Sequence, residues 1–298
     1  MTTTYAKGAS CPKSRVGRGV ARFVIYAIVC TGVVGFAVRG QEDSPSKPRT
    51  MGKAKLEPGA VFSFKFHDLP KTLYEMHTGK WNPAMMTVRM PDNYNTNDKF
   101  PLLVFLRGGD GSDCKAPGEQ AITGGKDYIF VVMPLFQIDM TDKSAAGGLF
   151  IMPYDYVVMA PAYKAMLAKL KQEVPNLRYE GSTLGGFSNG AHTIAALIDY
   201  ANFDVLNSFE NFFLVDGGFS LARPQNLGGR NLLLLFGGMD EGELTVARRA
   251  NGNRILQAAQ AAGVKCEFKE MPGVGHAFPA EQYPVVHGWM KQVSSKPK

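Results

Sequence analysis

The chain is poor in the residues that build metal sites and disulfide frameworks. Its 298 residues include four cysteines and five histidines. No CxxC, HExxH or clustered His/Cys/Asp spacing occurs, so no metal site is expected. Cys11 and Cys30 fall in the amino-terminal stretch, leaving Cys114 and Cys266 for at most one bridge, which a chain of this size does not need. After residue 40, lysine and arginine never cluster among aromatics, so nucleic-acid binding has no support. A P-loop lysine and a dinucleotide fingerprint are both missing, so phosphate-cradling readings fall away and no cofactor is expected.

Acidic residues are absent from the first 38 positions. Lys7, Lys13, Arg15, Arg18 and Arg22 precede residues 23–38, sixteen positions without a charge. A basic segment before an apolar one is the pattern of an export signal. Gly35 and Ala37 supply small residues for cleavage, and an uncleaved anchor is the alternative, a little short of the about 20 apolar residues a span needs. Five of the 33 basic residues and none of the 26 acidic ones lie before residue 38, leaving 28 against 26 and a formal +2 instead of +7. The basic balance therefore says little about partners. Residues 39–60, with Ser-Pro-Ser-Lys-Pro and several charges, read as a flexible linker. Residues 61–298 are long enough for one α/β domain with a large core.

That remainder carries repeated strand and helix signals. Residues 101–106 and 128–133 are continuous apolar runs of the kind a strand buried on both faces requires, as are 211–215 and 231–236. Residues 84–90 form a shorter strand candidate, and 264–270 alternate like a strand nearer the edge. Helical spacing recurs over 163–174, after residue 190, and over 243–262, where Gly263 supplies a stop. The expectation is a mostly parallel central sheet with helices on both faces. Residues 137–160 read as a long irregular stretch, with Met152, Tyr154 and Tyr156, of the sort that shapes a cleft above strand ends. The short connection between the strands near 212 and 231 leaves no room for a large cap domain.

The chain is organised around Thr183-Leu-Gly-Gly-Phe-Ser-Asn-Gly-Ala-His192. A serine with glycine two residues before and after, between a strand and a helix, has the form of a nucleophile elbow. A hydroxyl is a weak nucleophile, so Ser188 needs a histidine to take its proton and an acid to orient that histidine. His276, in Gly273-Val-Gly-His, is the expected base. Asp240, in Gly-Gly-Met-Asp after the four-leucine strand, is the expected acid. Glu241 and Asp216 are secondary candidates. His192 is expected to face the core or the sheet flank, and His67, His77 and His287 lack supporting context. The developing oxyanion needs preorganised donors: the N–H of Asn189 and one from Arg107-Gly-Gly-Asp-Gly111, either Gly109 or Asp110.

Together, Gly-Phe-Ser-Asn-Gly-Ala, Leu-Arg-Gly-Gly-Asp-Gly, Gly-Gly-Met-Asp and Gly-Val-Gly-His resemble the α/β-hydrolase superfamily. The nearest likeness is to secreted esterases related to feruloyl and acetylxylan esterases and polyhydroxybutyrate depolymerases, over residues 80–292. The resemblance implies an α/β-hydrolase fold and a cofactor-free serine carboxylesterase whose substrate is a small or oligomeric ester. A serine peptidase or amidase and a non-catalytic binding module are the alternatives. One departure stands out: Arg107 occupies a position that is usually histidine, where it would meet a substrate carboxylate or brace the loop through Asp110 or Asp113.

Overall fold

In the strand β4 (Phe100–Leu106), all seven residues are buried. Because successive side chains leave a strand on opposite sides, Leu102, Val104 and Leu106 enter one core cluster and Leu103 and Phe105 another. The sheet is thus packed on both faces, and this explains why its centre reads as unbroken apolar sequence. The computed structural model describes residues 56–67, 69, 73–76, 84–111, 114, 118–137, 153–239 and 243–294, which belong to one unit, Ser44–Lys298. The segment 1–38, with its export reading, lies outside the described residues, as does most of the linker.

The other strands are β1 (Val61–Phe66), β2 (Tyr74–Glu75), β3 (Ala84–Arg89), β5 (Ile129–Met133), β6 (Phe136–Gln137), β7 (Leu177–Phe187), β8 (Asn211–Val215), β9 (Asn231–Gly237) and β10 (Lys265–Met271). Eight of them form one sheet in the order β1-β3-β5-β4-β7-β8-β9-β10, while β2 and β6 pair separately. The run from β5 to β10 is parallel, and β3 and β1 continue it antiparallel.

Helix α1 (Pro153–Glu173), α2 (Asn189–Asp199) and α3 (Glu243–Ala261) contribute Met166, Ile194 and Ile255 to the core on one face. Helix α4 (Tyr283–Ser294) brings Val286, Trp289 and Met290 to the other. Cys266 sits in the first cluster and Cys114 in the second. The two cysteines are on opposite sides of the sheet and do not meet.

Three expectations change. Residues 153–160 are the first turns of α1 and not irregular chain; Pro161 stands inside the helix and reads in sequence as a breaker. The rest of the expected cleft-shaping stretch, 138–152, lies outside the described residues. The elbow strand is also longer than its apolar part, because β7 begins at Leu177 with a half-exposed segment. β1, whose pattern mixes buried and exposed positions, is an additional edge strand. Among the described residues, β8 and β9 are joined by the loop 216–230, which holds one short turn, Pro224–Leu227, and no large cap domain is present.

Candidate active site

The parallel strands deliver their carboxyl ends to one edge of the sheet, and the loops there hold the chemistry. At the end of β7 the chain turns directly into α2 through Ser188, whose backbone sits at φ 52 and ψ −116. A non-glycine residue in that region is strained and must be held by its surroundings. Two hydrogen bonds hold it: Ser188 N–H donates to Val215 O and His192 N–H to Ser188 O, each 2.9 Å. The flanking glycines are needed because the helix passes so close. A Cβ on Gly190 would overlap the carbonyl oxygen of Leu106, and one on Gly186 would lie 2.6 Å from the Gly190 carbonyl carbon.

His276 arrives on the loop after β10. Its Nε2 lies 3.0 Å from Ser188 Oγ, within hydrogen-bond distance, and the hydroxyl donates when the ring proton is on Nδ1. The loop packs flush against the end of β9, where a Cβ on Gly237 would overlap the Gly275 carbonyl oxygen. Met239 N–H donates to Val274 O at 2.9 Å. The ring of Phe187 lies 5.1 Å from that of His276. One side of the imidazole is therefore walled, while about half of the side chain stays open to solvent.

Behind His276 stands Asp216. Its side chain is 0% exposed, and Oδ2 is 3.6 Å from His276 Nδ1. Oδ2 makes no hydrogen bond, although it is buried, whereas Oδ1 accepts the N–H of Gly237 at 2.9 Å and lies 3.5 Å from Arg248 Nη1. A buried carboxylate oxygen facing a ring nitrogen requires the proton to be on Nδ1, which leaves Nε2 as the acceptor for Ser188. Asp216 follows β8 with φ 47, a left-handed conformation that aspartate tolerates better than most residues. The expected acid, Asp240, lies outside the described residues together with Glu241, while Asp216, a secondary candidate in the sequence, occupies the acid's place. Ser188, His276 and Asp216 form a catalytic triad, and the chain is a serine hydrolase.

The Arg107–Gly111 loop sits beside the nucleophile. A Cβ on Gly108 would be 2.7 Å from the Phe187 ring and 3.0 Å from Ser188 Cβ. Asn189 Nδ2 donates to Gly109 O at 2.8 Å and ties the loop to the first turn of α2. Arg107 makes a two-point pair with Glu119, Nε to Oε1 at 2.9 Å and Nη2 to Oε2 at 2.7 Å. Sequence reasoning missed Glu119 as its partner. The arginine therefore braces this loop against the short helix Gly118–Thr123.

Phe105, Arg107, Glu119, Phe187, Phe278 and Tyr283 line a cleft of about 240 Å³ next to Ser188. Burial, with Glu119 nearby, pushes the Tyr283 phenol above its usual range, so it stays neutral. His192 is half-buried behind the triad. Burial, reinforced by the charges of His276 and Arg248, holds its imidazole below the ordinary value. It accepts the Gly218 N–H at Nδ1, 3.2 Å away, so its role is to hold the loop that carries Asp216.

The topology, the strained serine turn and the histidine after the last strand decide the architecture. This is the α/β-hydrolase fold. No known family and no curated protein matches the sequence, but solved structures with this fold do. The Bacillus cereus carboxylesterase is similar over 70% of this chain and 93% of its own, with a TM-score of 0.52 at 14% identity. TT1662 from Thermus thermophilus is similar over 80% and 100%, with 0.51 at 13%. A thermostable esterase is similar over 78% and 62%, with 0.50 at 15%. At these identities the likeness concerns the α/β-hydrolase fold, and the chemistry is read from the site.

Proposed function

We propose that this serine hydrolase cleaves carboxylic esters, of the kind found in acylated polysaccharide or polyester fragments, outside the cytoplasm. The observation that carries the reading is the 3.0 Å contact between Ser188 Oγ and His276 Nε2 at a strained strand-to-helix turn. Ser188 Oγ attacks the ester carbonyl while His276 Nε2 takes its proton. The negative charge then forming on the carbonyl oxygen is met by the N–H of Asn189, whose position in the first turn of α2 lies outside the helical ladder. A second donor comes from Gly109 or Asp110. His276 returns the proton to the departing alcohol, leaving an acyl-enzyme. Water, deprotonated by the same nitrogen, attacks the acyl carbon and releases the acid and Ser188.

The cleft bears on the acyl group. Four aromatic rings line it beside the Arg107–Glu119 pair, and about 240 Å³ would stay largely empty around an acetyl group. A flat aryl acyl group such as feruloyl fills such a space better and can stack on its walls. Export rests on the basic and then uncharged start of the chain. Among the described residues no helix is long and apolar enough to cross a membrane, so any attachment to one would depend on that amino-terminal segment.

The test is to label the full chain with a fluorophosphonate and map the modified peptide, with Ser188→Ala alongside, and then to compare matched aryl esters, acetyl esters and anilides. Labelling confined to Ser188, with esters turned over far faster than anilides, supports the reading. Labelling without ester turnover would replace it with the amidase alternative. A folded protein that takes no label would move it to a binding module. Amino-terminal sequencing of the protein secreted by its host checks export.

A further inference from the structure

The loop after β8 that carries Asp216 is held from both sides. From α2, His192 accepts the Gly218 N–H, and the Asp199 carboxylate accepts the N–H groups of Ala222 at 2.9 and 3.1 Å and of Arg223 at 2.7 Å. From α3, Arg254 donates to the carbonyls of Phe219 and Leu221, each 3.2 Å away. These contacts fix backbone. Arg248, one and a half turns earlier on α3, differs because it brings a positive charge to within 3.5 Å of a carboxylate that is 0% exposed. An ionised carboxylate so completely removed from water needs a compensating charge. While His276 is neutral, Arg248 is the group placed to supply it.

We propose that Arg248 is a positioning residue for the triad: its charge compensates the buried Asp216 carboxylate and holds Oδ1 so that Oδ2 faces His276. The proposal rests on the reading of Asp216 as the triad acid. With the Gly237 N–H and Arg248 both on Oδ1, the remaining oxygen is directed at Nδ1.

The other groups near this couple are few. His192 on α2 is held neutral by burial, and Ser188 carries no charge. Arg249, the next residue on α3, turns away to Glu270 at 2.9 Å. Asp240 and Glu241 lie outside the described residues.

The experiment measures kcat and KM for an activated ester, and the rate of fluorophosphonate labelling. It compares the full-length wild-type chain with Arg248→Gln, Arg248→Met, Arg248→Lys and Asp216→Asn, with folding checked by thermal melting. Arg248→Gln and Arg248→Met should each lower kcat and the labelling rate by about tenfold while KM stays nearly unchanged. Arg248→Lys should bring both rates back to within about threefold of wild type. Because Arg248→Met keeps an unbranched apolar stem, it reads the charge even where the glutamine variant folds poorly. An unchanged kcat, or a loss confined to KM, in folded variants lacking the charge overturns the proposal. If Asp216→Asn retains wild-type rates, it is the reading of Asp216 as the acid that falls. If Asp216→Asn is inactive while the Arg248 variants keep wild-type kcat, the role of Arg248 alone falls.

Discussion

Phe187 and Val215 are register partners on adjacent parallel strands, and the next residue on each strand is a triad member, Ser188 on one and Asp216 on the other. The spacing between nucleophile and acid is therefore set by one rung of the sheet. Only His276 reaches the site from a more distant loop.

If Asp216 is the acid, Asp216→Asn should lower kcat by about 10³ to 10⁴-fold with a far smaller effect on KM, as expected when the imidazole loses its orienting carboxylate. Asp240→Asn should stay within about threefold of wild type. Steady-state kinetics on both variants decide between them, and a reversed pattern would return the acid role to Asp240.

The elbow glycines should differ sharply from those of the oxyanion loop. Gly190→Ala places a methyl group on the Leu106 carbonyl oxygen and should destabilise the fold by about 3 to 5 kcal/mol. Gly109 has φ 59, but a Cβ there would meet nothing within 4 Å. Gly109→Ala should therefore cost only about 1 kcal/mol, the penalty of the backbone conformation. Urea denaturation of the two variants gives the comparison, and equal losses would contradict it.

Asn189 acts on the oxyanion loop through its side chain as well as through its backbone. Asn189→Ala keeps the backbone N–H but removes the tie to Gly109 O. It should lower kcat by about tenfold, less than the roughly 10² to 10³ lost with an outright oxyanion donor, and leave KM nearly unchanged. An unaltered kcat would mean that the loop keeps its place without this bond.

Stability should fall on the acid side of neutrality partly through His192. Its folded-state value lies below the ordinary 6.5 because burial disfavours the charged ring. The unfolded chain therefore binds a proton that the folded chain resists, and the stability so contributed is present above about pH 6.5 and is lost as pH falls below it. His287, also held low by burial, acts in the same direction. His192→Gln should flatten, though not abolish, the decline in Tm between about pH 7 and 5, and a decline as steep as in wild type would exclude His192 as a source.

The parts of this molecule legible in sequence are those whose physics is local. β4, β5, β8 and β9 are buried on both faces, so each stands out as an apolar run, and the elbow is legible because Gly186 and Gly190 answer a steric demand within a few residues. The acid is harder to place. Gly237 and Gly238 look like the turn that presents Asp240, but Gly237 lets the His276 loop pack against the end of β9, and Gly238 lies against Glu270. Both demands come from β10 and the loop after it, remote in sequence. The signal for Asp216 lies in Val215-Asp216-Gly217-Gly218, an acidic residue at the mouth of a buried strand followed by two glycines. Gly217 is there because a side chain would strike the Ser188 carbonyl, a relation that spans two strands. The Arg107–Glu119 pair is equally out of reach, since no periodicity links a strand end to the short helix beyond it.

The placement of the triad along the chain also divides the labour between two fragments. Everything up to the turn Pro224–Leu227 holds the nucleophile, the acid and the loop beside them, and the carboxy-terminal remainder brings the base. A polypeptide cut at that turn would leave the serine and the acid on one piece, and put the base on the other together with the Gly237 N–H and Arg248 that meet the acid. Recovery of fluorophosphonate labelling on mixing the two halves would report the docking of β9 against β8. Recovery that occurred just as well with His276→Ala in the second half would show that the division does not hold.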